Sequence, residues 1–108
     1  MTPSSQTGHV RLDLNDPDFQ HDLFGLEKHD RHSALETLNK LLQMTWDQVY
    51  RDHGLKWEKI LKATPPPGLS AIYSLRITRS RRATAYRDGD VLRFLSIPLD
   101  HDATYGKK

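Results

Sequence analysis

Cysteine is absent from the 108 residues, and with it go disulfides, thiolate metal sites and thiol nucleophiles. Such a composition fits a reducing compartment. Apolar residues make up only 36% and aromatics 8%, so a chain of this length supports one domain with a thin core, one sheet backed by a few helices. No apolar run approaches the roughly 20 residues that cross a bilayer, and no membrane partner is expected. Met1 to Gly8 is polar and Ser/Thr-rich, without the apolar centre of a secretory signal. The expected setting is the cytoplasm.

Charge is present in both signs but unevenly spread. The net value is +2. From Gly68 onward Arg76, Arg79, Arg81, Arg82, Arg87, Arg93, Lys107 and Lys108 face only Asp88, Asp90, Asp100 and Asp102. Upstream, Asp13, Asp16, Asp18, Asp22, Glu27 and Asp30 lie close together. A basic C-terminal region suits a polyanionic partner, and on charge alone it reads equally well as solvated strand ends.

Hydrophobic periodicity divides the chain into a strand, a helical half and a strand half. Val10, Leu12 and Leu14 alternate with His9, Arg11 and Asp13, as in a half-buried strand. Asp16-Pro17 has the form of an N-cap followed by the first helical residue. Phe19, Leu23 and Leu26 supply that helix's stripe, and Gly25 ends or weakens it. Ser33-Ala-Leu-Glu36 has capping-box form ahead of Leu35, Leu38, Leu41 and Leu42, and Thr45-Trp-Asp-Gln48 repeats it. The helical stretch is therefore expected to restart near Thr45 and to stop at Gly54. Three consecutive prolines within Thr64–Gly68 exclude helix interior and central strand.

Three strands follow the prolines. Asp88-Gly89 is a two-residue hairpin signal, read as type I′. It places Arg87 opposite Asp90, Ala85 opposite Leu92 and Ala83 opposite Phe94. A three-residue loop at Thr78-Arg79-Ser80 keeps Tyr73, Leu75 and Ile77 on that same apolar face and sets Arg76 opposite Arg82. The expected fold is α+β: an N-terminal strand, two or three helices, then a three-stranded antiparallel meander, in one sheet with helices on one face. Arg76, Arg82 and Arg93 should cluster on the other face. Arg81 and Arg87, on the apolar side, are expected at strand ends in solvent. The domain is drawn at residues 9–105, between a tail at 1–8 and a basic tail at 106–108.

This order of elements resembles that of the RelE/ParE superfamily of toxins. The stretches Tyr73-Ser-Leu-Arg-Ile-Thr78 and Arg82-Ala-Thr-Ala-Tyr86, followed by Asp88-Gly89, are similar to the family's central hairpin. Gly54-Leu-Lys-Trp-Glu58 resembles the Gly…Lys-x-Glu segment of YoeB-type members, and Asp100-His-Asp-Ala-Thr-Tyr105 their C-terminal His/Tyr element. The triple proline departs from the family pattern. The resemblance implies a type II toxin–antitoxin toxin, a ribosome-dependent mRNA endonuclease that inhibits translation. Its implied partners are a cognate antitoxin, the ribosome and mRNA.

The resemblance also implies roles for residues. Arg82 matches the arginine on the scissile phosphate, Glu58 the general base and His101 the general acid, with Tyr105 as a competing C-terminal position. Lys56, Arg76 and Arg93 would contact phosphate, and Tyr86 or Tyr105 would stack on a base. Metal-free cleavage uses the RNA's own 2′-hydroxyl. A carboxylate suits the base, a histidine titrating near ~6.5 suits the acid, and arginine forks suit phosphate oxygens. No metal, cofactor or small-molecule ligand is expected.

On residue type alone, Glu58 is a solvated charge beside Lys56 and Lys59. His29-x-x-His32 has ligand spacing without a further cluster, and Trp46, Tyr50 and Trp57 are packing residues. The alternatives are a ParE-like inhibitor of DNA gyrase, which needs no acid–base pair, and an inactive antitoxin-binding module.

Overall fold

Side-chain caps set two of the helix starts in the first half. A computed structural model of the chain describes residues 8–98. Within it, Asp16 accepts from the backbone N–H groups of Asp18 and Phe19 and opens α1, Pro17–Phe24, which Gly25 caps. Thr45 and Gln48 form a reciprocal capping box at the head of α3, Trp46–Arg51. Both starts follow the sequence.

The helix between them differs. α2 runs Lys28–Leu42 from Glu27, which makes no side-chain cap. Ser33 therefore lies inside the helix, because Leu26 is buried and Arg31 N–H already donates to Glu27 O at 2.8 Å. The buried stripe is Ala34, Leu38 and Leu41, whereas Leu35 and Leu42 stay about half exposed, at 50% and 48%. α3 ends before Gly54, since Asp52 turns out of the helix, accepts from Leu55 N–H at 3.0 Å and pairs with Lys40 at 3.1 Å.

The strands are β1 (Arg11–Asp13), β2 (Glu58–Lys59), β3 (Tyr73–Arg76), β4 (Arg82–Asp88) and β5 (Val91–Ser96). They form one mixed sheet in the order β1-β5-β4-β3-β2. The expected meander is its centre, extended at both edges: β1 joins β5 in parallel and β2 joins β3 antiparallel. A two-residue strand, exposed on both residues, carries no periodicity from which to read it.

Arg76 pairs with Arg82, as the three-residue loop requires. The β4–β5 turn is corrected by one residue. Asp88 pairs with Val91, Arg87 with Leu92 and Ala85 with Phe94, so the loop is Gly89-Asp90. Gly89 takes φ +63° as the first turn residue, the position of glycine in a type II′ turn. The faces survive because this shift preserves parity. A bulge beside Thr84/Ala85 then pairs Thr84 with Ser96. The extra residue restores Ile97 to the core face, where it is buried.

The core lies between that face and the helices. Phe19 of α1 meets Phe94 of β5 at 4.9 Å between ring centroids, and Leu38, Leu41, Leu75, Ala83, Ala85 and Leu92 surround them. Trp46 is fully buried; its indole N–H donates to Asp90 O at 3.0 Å, and it contacts Trp57 and Tyr50. Trp57 in turn stacks on Tyr73. Arg87 is not at a free strand end: its guanidinium lies 4.2 Å from the Trp46 ring centroid and donates to the Tyr50 hydroxyl at 2.7 Å. Among the described residues no helix is long and apolar enough to cross a membrane.

Trp46→Ala removes this buried platform and is expected to cost about 3–5 kcal/mol, read as a shift in the urea unfolding midpoint. A second prediction concerns acid. The backbone N–H of Asn15 and the Arg93 guanidinium hold the Asp13 carboxyl below the usual carboxylate range, outweighing desolvation. Burial opposes ionisation of Asp52, but hydrogen bonds from Lys40 and Leu55 prevail and its value is also lowered. Both groups stabilise the fold above about pH 3.9, the ordinary unfolded value, and that contribution is lost as pH falls through their lower folded values. Urea midpoints measured down this range should fall less steeply for Asp13→Asn than for the native chain; parallel profiles would contradict the assignment.

Candidate functional site

Opposed residues on neighbouring strands share a face, so the register builds the site. Glu58 pairs with Ser74, Ser74 with Thr84 and Thr84 with Ser96, a polar row across the face turned away from the helices. The Thr84 and Ser96 hydroxyls close that row at 2.7 Å. Arg82, paired with Arg76, stands one pleat along from it and diagonal to Ser74.

Arg82 leans into the row. Its side chain is only 9% exposed, and a charge so placed requires acceptors. Ser74, fully buried, provides one: its Oγ accepts from Nε at 3.0 Å and Nη2 at 2.8 Å. Nη2 also donates to the Lys56 carbonyl. The same nitrogen is 3.8 Å from Glu58 Oε1, whose side chain is 52% exposed. Nη1 takes no part in these bonds.

The Lys56 carbonyl reaches Arg82 through an uncommon backbone geometry. Lys56 adopts φ +49°, the one non-glycine residue with positive φ among those described. An L-residue pays roughly 1–2 kcal/mol for that conformation. Its neighbours fix it: Leu55 is buried, its N–H is held by Asp52, and its carbonyl accepts from Arg76 N–H at 2.7 Å.

Around Arg82 lies a cleft of about 300 Å³ lined by Lys56, Glu58, Arg76, Arg82 and the β3–β4 turn residues Arg79, Ser80 and Arg81. Four of the sequence-predicted residues, Lys56, Glu58, Arg76 and Arg82, thus meet in one place. Arg93 does not join them. It pairs in register with Tyr86 and Asp13, two pleats along the face from Arg82, or about 13 Å. There Asp13 and Asp88 bind its guanidinium, and these carboxylates raise its already high pKa. Tyr86, half-buried, sits in that second row. The predicted clustering of Arg76, Arg82 and Arg93 is therefore corrected to Arg76 with Arg82 alone. His101 and Tyr105 lie outside the described residues, as do most of the N-terminal tail and the basic tail.

Sequence reasoning missed Ser74 and the Lys56 carbonyl. Ser74 was legible in principle: once Arg76 is set opposite Arg82, Ser74 becomes the diagonal neighbour and the small hydroxyl within reach. Nothing in the residue types announces a left-handed lysine. His29 and His32 are spaced along α2 beside Asp30 and Glu36. Among the described residues, no three His, Asp or Glu side chains gather around a point fit for a metal ion.

The arrangement presents a fixed guanidinium edge, further cations and a solvent-accessible carboxylate in one cleft, which suits a phosphodiester. No protein-family model matches the sequence. No curated protein matches it either. Solved structures do. One is a chain of the archaeal RelE–RelB complex from Pyrococcus horikoshii OT3, 20% identical, with a TM-score of 0.58 over 83% of this chain and 93% of that one. Another is the YoeB dimer from Staphylococcus aureus, also 20% identical, with a TM-score of 0.54 over 87% of this chain and 100% of that one. Mixed sheet, one-sided helices and these two likenesses together give the chain a RelE/YoeB-like fold.

Proposed function

We propose that this chain is the toxin of a type II toxin–antitoxin pair, a cytoplasmic endoribonuclease that cuts ribosome-bound mRNA without a metal ion and so inhibits translation. The observation that carries the reading is the buried Arg82 guanidinium, clamped by Ser74 and the Lys56 carbonyl and 3.8 Å from Glu58. A clamped fork stabilises charge that develops at a defined point, without reorganising when it appears.

In this reaction Glu58 takes the proton of the RNA 2′-hydroxyl, and that oxygen bonds to the adjacent phosphorus. Arg82, with Arg76 and Lys56, neutralises the crowded phosphorane. The bond to the 5′-oxygen breaks as that oxygen takes a proton from His101, the role its place in the sequence suggests. Tyr86, Tyr105 and Arg93 would contact RNA beyond the cleft, Arg93 after exchanging a carboxylate for phosphate. A cognate antitoxin is the natural protein partner, as RelB is for the RelE of the archaeal complex.

The test is inducible expression with translation followed alongside primer extension on a reporter mRNA. Discrete cuts inside the translated frame are expected, each leaving a 2′,3′-cyclic phosphate; a 3′-hydroxyl end would sink the mechanism. Growth arrest over intact mRNA would move the target to gyrase or elsewhere. Arg82→Lys keeps a charge but cannot span Ser74 and the Lys56 carbonyl, and cleavage should drop at least about 10²-fold. Glu58→Gln should lose about 10²–10⁴-fold.

Ser74→Ala provides a further prediction. It strips two donors of a buried guanidinium of their acceptor, costing about 1–3 kcal/mol, and cleavage should fall with stability. Thr84→Ala, in the same row but bonded to Ser96, should lower thermal stability alone.

A further inference from the structure

The cleft at Arg82 has a neighbour across the β3–β4 turn. A second cavity, of about 290 Å³, adjoins it on the side of α2, walled by Ser33, Thr37 and Lys40 of that helix. Arg76 and Arg79 line both cavities. The two cavities therefore share a waist, a pair of arginines, and a strand crossing it would run through both as one groove.

The chemistry of the groove is specific in kind. Neither Arg76 nor Arg79 enters an ion pair with another described residue, whereas Lys40 is occupied by Asp52 at 3.1 Å. The α2 wall adds the hydroxyls of Ser33 and Thr37, with Glu36 as its carboxylate. Among the described residues no aromatic ring lines either cavity. Cations and hydroxyls without a stacking platform fit a sugar–phosphate backbone rather than a splayed base.

We propose that the RNA strand bound at Arg82 continues over Arg76 and Arg79 into the groove along α2, where the phosphate of a flanking nucleotide is held at the arginine waist. Resting on the ribonuclease reading, this assigns a second subsite on the same strand. It is a subsite for backbone, so it adds affinity and register without adding sequence preference. Arg79, exposed at the tip of the turn, is its principal cation.

The test uses fully 2′-O-methylated RNA, which lacks the attacking hydroxyl, as a trinucleotide and a nonanucleotide titrated at several salt concentrations. The salt slope is the readout, because a longer strand also offers more binding registers. The nonanucleotide should show a slope steeper by about 0.7 for each added phosphate contact. Arg79→Ala should remove about one such increment, and Thr37→Glu, which places a carboxylate on the α2 wall, should weaken the long strand more than the short one. Equal slopes for the two lengths, or a long-strand slope untouched by both variants, would overturn the subsite while leaving RNA binding at Arg82 in place. Two trinucleotides bound per chain would show that the groove takes a separate strand, and would overturn the shared-strand arrangement. Failure of both RNAs to bind at low salt would likewise overturn the subsite, whereas the ribonuclease reading on ribosome-bound mRNA stands or falls with the cuts in the reporter mRNA.

Discussion

A guanidinium taken out of water needs acceptors on its donor edges, and in this fold that demand falls on the surroundings of Arg82. Ser74 stands in the middle of β3 on the outward face, a place where a β-branched side chain would otherwise pack. Lys56 bends into a left-handed conformation and thereby turns its carbonyl to Nη2. β2, short as it is, pairs with β3 so that Glu58 falls opposite Ser74. Two separate segments of chain, residues 56–58 and β3, are thus tied to one side chain. The strain at Lys56 and the polar residue in the sheet become intelligible as the means by which one cation is held still.

The opposite face follows a different rule. There the helices, the Phe19–Phe94 contact and the small residues Ala83 and Ala85 make an apolar interior that takes no account of the cleft. The bulge in β5 reconciles the two faces, since without the extra residue Ile97 would turn outward and Ser96 inward. Sheet parity is the point at which stability and the site communicate.

Local chemistry was legible and long-range placement was not. Asp16-Pro17 and Thr45–Gln48 announce helix starts because a cap is satisfied within a few residues. The Arg76–Arg82 pairing follows from alternation and loop length for the same reason. The start of α2 was hidden by a capping-box sequence that lies within the helix, and β2 by having too few residues for a pattern. In the site, alternation assigned Arg93 to the correct face, but a turn read one residue early set it opposite Thr84. The observed register sets it opposite Tyr86, where Asp13 of the parallel neighbour β1 pairs with it. Arg87 was misjudged because its face was read as wholly apolar, whereas the aromatic surface of Trp46 accepts a cation.

The parallel pairing of β1 with β5 joins the first and the last of the described strands, Arg11 lying beside Val91. β5 occupies the position between β1 and β4, so neither neighbour is in its final place until β5 enters. During synthesis the helices can form as they emerge, but the sheet must wait for β5 and for the slow closure of its longest loop. Folding is therefore gated by β5, and a nascent chain interrupted before Val91 presents β4 as an open edge.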